Sequence, residues 1–148
     1  MASENVHFDI NYYFDTCIWR DHNENRTGKG GRPLGEIASR LIMKFITERI
    51  PILYSEFITR ELKIDYSDDE INDMFNILHI TGNLIKVPIS KQIVEEASKL
   101  HKARGISLGD CLHALLARSN NSIIVTQNMK DFEKIADIVI SKKPEHLL

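Results

Sequence analysis

Asp15, Glu61, Asp110 and the pair Asn128 and Asp131 are the positions in this sequence whose types and spacing could do chemistry. Asp15 follows the aromatic run Tyr12-Tyr13-Phe14 directly, so a strand would fix its backbone while the carboxylate projects past the strand end. An Asp at such a junction also commonly bonds the backbone of the next turn, and both uses are open to it. Glu61 lies i+4 from Phe57 and i+3 from Ile58, on the apolar stripe of the helix expected after Ser55. A carboxylate on that stripe is costly unless it is paired, bound to a cation or able to snorkel to water. Asp110 stands three residues after Ser107, a capping-box variant, and ahead of the small residues Ala114 and Ala117, which suit close contact of a helix with a sheet. Asn128 and Asp131 both follow the apolar run Ile123-Ile124-Val125; either can reach the same crevice, and Asp131 can instead cap a short helix.

Carboxylates gathered at one place raise one another's pKa unless a cation neutralises them, and hard oxygen ligands select Mg²⁺ or Mn²⁺. One or two such ions would clamp a phosphodiester, lower the pKa of the attacking water and stabilise the leaving 3′ oxygen.

The elements that must position these groups can be read along the chain. Tyr12–Phe14, 51–54, Leu84–Val87, Ile123–Val125 and Ile138–Ile140 read as short strands. Helices are expected over Ile37–Ile46, from Ser55 to Lys63, after the Ser67/Glu70 capping box, from Ser90 to Gly105, from Leu108 to Ser119 and near 130–135. Asp21–Gly35, rich in Asn, Arg, Lys and Gly, reads as a long loop. Strands separated by helices imply parallel crossovers, hence an α/β fold with three α/β/α layers around a parallel sheet of four to five strands. Sites in such sheets form beyond the carboxyl ends of the strands.

With 148 residues and 43% hydrophobic content, one core and a single domain over 1–148 are expected. A net charge of −2 means that a polyanion would need local basic groups or bound cations to approach. Cys17 and Cys111 have no metal-site spacing and read as reduced thiols. No stretch approaches the roughly 20 apolar residues of a membrane span, and residues 1–10 form a polar extension, so a cytoplasmic protein is expected.

Four segments together resemble the PIN-domain family, which includes VapC-type toxins and ribosomal-RNA-processing nucleases. They are Phe14-Asp15-Thr16-Cys17, Thr59-Arg60-Glu61-Leu62, the run from Asp110 to Ala117, and the run from Ile124 to Phe132, in the family's order and approximate spacing. The resemblance implies a metal-dependent ribonuclease with its first three acids at Asp15, Glu61 and Asp110. Many members carry Asp where this chain has Asn128, while Asp131 matches an Asp-Phe variant, so the fourth ligand is one of the two. It further implies RNA as substrate, with an antitoxin or a second copy of the chain as candidate partners.

Thr16 and Thr126 belong to those segments and are expected at the substrate. The segment 19–35 reads as a basic insertion, in which Arg20, Arg26, Lys29 and Arg32 outnumber Asp21 and Glu24 by two. These cations could track phosphates, and Trp19 could stack on an unpaired base. No histidine shows ligand spacing, and His113 reads as a polar residue on a helix face. A non-catalytic RNA-binding module is the competing reading. A phosphatase of another doubly wound fold is a weaker one, since Asp15 lacks a second Asp two residues on.

Overall fold

The computed structural model describes residues 10–148, so the expected extension lies outside them apart from Ile10. The chain runs β1 (Asn11–Phe14), α1 (Thr16–Glu24), α2 (Leu34–Thr47), β2 (Ile52–Ser55), α3 (Glu56–Leu62), α4 (Asp68–Thr81), β3 (Leu84–Val87), α5 (Lys91–Arg104), α6 (Leu108–Ser119), β4 (Ser122–Val125), α7 (Met129–Phe132) and β5 (Ser141–Lys142). All strand pairings are parallel, in the order β3-β2-β1-β4-β5. The chain therefore builds outward from β1 on one side, then returns to β4 on the other. That reversal opens a crevice beyond the carboxyl ends of β1 and β4.

Successive side chains of β1 point to opposite faces, as the period of a strand requires. Tyr12 and Phe14 meet Phe45 of α2, and Phe14 also meets Trp19 of α1. Tyr13 turns the other way, onto His113 of α6. Helices thus cover both faces, which gives the three layers expected from the alternation of elements. In α6 every residue from Cys111 to Ala117 is buried, so this helix is enclosed all round.

Local signals set the helix ends. Ser67 and Glu70 form the reciprocal capping box before α4, Ser90 caps α5, and Gly105 closes it with a positive φ of 68°.

Two expectations are corrected. The stretch Asp21–Gly35 is not one long loop, because α1 runs through Glu24 and ends on Asn25 in the left-handed region. Its Thr, Cys, Asp, His and Asn are poor helix formers, and the burial of Ile18 and Trp19 outweighs their propensities. Beyond Asn25 the backbone forms a compact turn closed by Gly28 N–H to Arg32 O and Gly35 N–H to Arg26 O. A Cβ on Gly35 would lie 2.3 Å from Asn25 Cα, so only glycine lets α2 start against the end of α1. The last strand lies at Ser141–Lys142 rather than Ile138–Ile140. Val139 is buried below the sheet edge, and pairing with β4 begins only at the Ile140 carbonyl.

Candidate active site

Asp15 is the first residue past β1, and its N–H bonds the Val125 carbonyl of β4. The carboxylate serves both of its expected uses. Oδ1 accepts from the Thr16 N–H at 2.8 Å and caps α1, while Oδ2 accepts from the Thr126 hydroxyl at 2.7 Å in the crevice. The group is 7% exposed.

Thr126 carries the network across β4. Its hydroxyl oxygen accepts from the Asn128 N–H at 2.9 Å. The Asn128 side-chain nitrogen then donates to Asp131 Oδ2 at 3.1 Å and reaches Asp110 Oδ2 at 3.4 Å. Its oxygen faces the Asp131 N–H at 3.4 Å, at the start of α7. Asn128 therefore presents a donor to the two acids and uses its oxygen as a cap, the reverse of what a cation ligand offers. Asp110 sits in the first turn of α6, which Ser107 caps.

Glu61 enters from α3. Its Oε1 accepts from the Thr16 hydroxyl at 2.5 Å and lies 2.7 Å from His113 Nε2. One continuous set of hydrogen bonds thus joins Asp110 and Asp131, through Asn128 and Thr126, to Asp15, and through Thr16 to Glu61 and His113.

Electrostatics distinguish the acids. Burial works to raise the Glu61 carboxyl, yet the hydrogen bond and charge of His113, with the Thr16 hydrogen bond and the Arg20 charge, outweigh it and hold the group below its ordinary value. Asp110 is pushed up, first by burial and then by the nearby Asp15 charge, and Asp131 adds to this against the relief from Ser107 and His113. Burial and the Asp15 charge push the Cys17 thiol well above its ordinary range, so Cys17, 3.5 Å from Asp15 Oδ2, stays a thiol rather than a nucleophile.

Of the residues singled out in the sequence, Asp15, Thr16, Glu61, Asp110, Thr126, Asn128 and Asp131 come together. The others do not. Trp19 is fully buried between Phe14 and Phe75, with its indole N–H on the Phe14 carbonyl. Base stacking by Trp19 is thereby excluded, because the fall of α1 onto the sheet turns its ring into the core. Arg20 belongs to α1, where it donates to the Glu61 carbonyl at 2.9 Å and pairs with Asp65 at 3.3 Å. Arg26 pairs with Glu24 at 3.1 Å, and Arg32 with Glu145. These three guanidiniums are therefore engaged by protein acids rather than offered by a basic loop, and Lys29 is exposed on the turn.

His113, Tyr13 and Ser55 are the members that sequence reading missed. Ser55 reads as a helix cap, yet its hydroxyl makes no cap bond and goes to Tyr13 instead. For His113 a signal was available: a histidine inside a helix buried on all sides must find hydrogen-bond partners.

Among the described residues, no group of three or more His, Cys, Asp or Glu side chains stands ready-made for a metal ion. The donor chemistry nevertheless fits a hard divalent cation. Asp15, Asp110 and Asp131 all offer oxygen ligands, the charges of Asp15 and Asp131 bear on Asp110, and a cation is what would relieve that repulsion.

The model of the PIN domain family matches residues 12–138, which takes in every member of this network. The chain belongs to the PIN domain family. Three solved structures share the fold of this PIN domain. VapBC-1 from nontypeable Haemophilus influenzae has a TM-score of 0.63 at 19% identity, over 92% of this chain and 99% of that one. VapBC2 from Rickettsia felis, bound to a DNA fragment from the promoter, gives 0.62 at 18% identity, over 90% and 98%. FitAcB from Neisseria gonorrhoeae gives 0.56 at 18%, over 92% and 99%. Likeness at such identity carries the fold. No match was found among curated proteins.

Within the PIN domain, Gly109 lets the start of α6 approach α3. A Cβ there would stand 3.3 Å from the Phe57 ring and 3.4 Å from Glu61 Oε2. The third acidic segment is thus brought beside the second by a residue with no side chain. No helix among the described residues is long and apolar enough to cross a membrane.

Proposed function

We propose that this PIN domain is an Mg²⁺- or Mn²⁺-dependent endoribonuclease, with residues 1–148 forming one unit. Asp15, Asp110 and Asp131 would hold the ion and Glu61 would complete the acidic rim. Asp131 rather than Asn128 takes the fourth position, because the amide directs its nitrogen at the acids. The observation that carries the reading is the single hydrogen-bonded network joining all four acids at the crevice between β1 and β4.

A divalent cation bound there would neutralise the scissile phosphate and acidify the attacking water. The chain's own residues set the stage for it. Thr126 and the start of α1 fix both oxygens of Asp15, and Asn128 spaces Asp110 from Asp131. Glu61, held below its ordinary pKa, stays ionised at neutral pH and can orient or accept a proton from water. Single-stranded or looped RNA suits an open crevice better than a duplex, whose backbone is held in a fixed helix.

The structural relatives are described as toxin–antitoxin or VapBC complexes, and we extend that assembly to this chain. An antitoxin covering the crevice is the proposed partner, with self-association into a dimer as a further expectation. The cytoplasm is the proposed compartment.

The test is incubation of the purified protein with end-labelled single-stranded RNA in Mg²⁺, in Mn²⁺ and in EDTA. Internal cleavage in either metal, lost in EDTA, is the expected result. RNA retained but uncut in all three would instead establish the binding-module reading, which the amide at Asn128 favours. Cleavage unaffected by EDTA would overturn the metal-dependent account.

A further inference from the structure

Behind the acidic rim lies a buried polar chain that the hydrolytic reading leaves without a role. His113 is 1% exposed, and both ring nitrogens are occupied. Nε2 lies 2.7 Å from Glu61 Oε1, and Nδ1 lies 2.8 Å from the Tyr13 hydroxyl. That hydroxyl lies 2.8 Å from Ser55 Oγ. Tyr13 and Ser55 are themselves buried, on β1 and at the end of β2. The chain therefore ties a side chain of α3 through α6 to the middle of the sheet.

The proton count orders these bonds. Glu61, ionised, can only accept, and it already takes the Thr16 hydroxyl proton on Oε1. The short contact to His113 then requires a proton on Nε2. Burial raises the Tyr13 phenol far above its ordinary value, so its single proton stays in place. With the Nε2 proton given to Glu61, the Tyr13 hydroxyl has His113 Nδ1 and Ser55 Oγ as its two partners, so each polar atom of this buried link is satisfied. The rings of Phe57 and Tyr13 pack against the imidazole and fix its plane.

We infer that His113 is a positioning residue: its Nε2–H, held by Tyr13 and Ser55 at the opposite nitrogen, locks the Glu61 carboxylate in the orientation the crevice needs. Asp110 and His113 lie three residues apart on α6, so one helix face presents an acid to the crevice and braces a second acid from below. Glu61 emerges from a helix of only seven residues, and without that brace its side chain would be free to swing toward water, which reaches it from one side. Partners of this outer kind are worth about 10–100-fold in metal affinity or activity. The inference rests on the hydrolytic reading for its consequence and on hydrogen bonding for its geometry.

Two measurements decide it. In the full chain without metal, ¹⁵N NMR of the His113 ring reads which nitrogen bears the proton. Protonated Nε2 is expected, and a bare Nε2 would overturn the inference. The second compares His113→Gln, whose amide nitrogen replaces Nε2, with His113→Asn, whose amide replaces Nδ1. Mn²⁺ affinity by calorimetry and RNA cleavage should both be at least about 10-fold better in His113→Gln than in His113→Asn, at matched thermal stability or after correction for the folded fraction. Equal losses in the two variants, as a core-filling role predicts, would overturn it. If the parent neither binds Mn²⁺ nor cuts RNA, the hydrolytic reading fails by itself, and the ring spectrum alone decides whether His113 positions Glu61.

Discussion

Asp15→Asn is expected to lower RNA cleavage by more than about 100-fold while leaving the fold intact. The magnitude follows from the position of Asp15 at the centre of the network, since loss of partners one shell further out already costs about 10–100-fold. The substitution is conservative in size and shape. Asn caps helices as well as Asp does, so the amide oxygen keeps the bond from the Thr16 N–H, while the amide nitrogen takes the place of Oδ2 and must donate to the Thr126 hydroxyl instead of accepting from it. What is lost is a negative charge, together with one acceptor, at the mouth between β1 and β4. Single-turnover cleavage at saturating Mg²⁺, with circular dichroism as the fold control, checks this. Activity within about threefold of the parent would place the chemistry elsewhere.

Asp110→Asn separates function from stability in the opposite direction. Cleavage should again fall by more than about 100-fold, yet the metal-free variant should be the more stable protein. Burial and the charges of Asp15 and Asp131 raise the Asp110 carboxyl, so the native state binds its proton more tightly than the unfolded chain does. Stability from this group is therefore fully present below the ordinary carboxylate pKa and is lost as pH rises through the raised one. At pH 7 the whole penalty stands, and the amide removes it. The carboxylate is only partly buried and is screened by solvent, which keeps the gain to a small rise in Tm. Thermal melts in EDTA at pH 7 should show that rise, and it should shrink toward zero near pH 3. Adding Mn²⁺ should reverse the order, because only the parent binds the ion tightly enough to gain from it. A variant less stable than the parent in EDTA would contradict the electrostatic account of the site.

The parts of this site that were legible in the sequence are those announced by a conflict between residue type and place. Glu61 interrupts the apolar stripe of α3, Asp15 ends an aromatic strand, and Asp110 opens a helix that carries the small residues Ala114 and Ala117 on the same face, so each asks for a partner. The parallel sheet was legible for a similar reason, since short β-branched runs alternate with capped amphipathic helices. Helix α1 was not, because its sequence from Thr16 to Glu24 is polar and its stability comes from burying Ile18 and Trp19 against elements distant in the chain. That same long-range packing withdrew Trp19 from any substrate. His113, Tyr13 and Ser55 were hidden because each has an ordinary local explanation as a polar residue on a helix face, a strand aromatic or the residue ahead of a helix. Only the register of β1 beside β2, with α6 laid across them, shows that the three side chains meet. Arg20, Arg26 and Arg32 misled because charge counted along a loop says nothing of the acids, Asp65, Glu24 and Glu145, that meet them in space.

In the proposed function, separate carboxylates are drawn around one divalent cation between β1 and β4. Anomalous scattering from crystals of the full chain soaked in Mn²⁺ reads this directly. A manganese peak within about 2.5 Å of oxygens from both Asp15 and Asp110 is the predicted result. Saturating Mn²⁺ with no peak in that crevice, or a peak only at some other surface, would contradict the account.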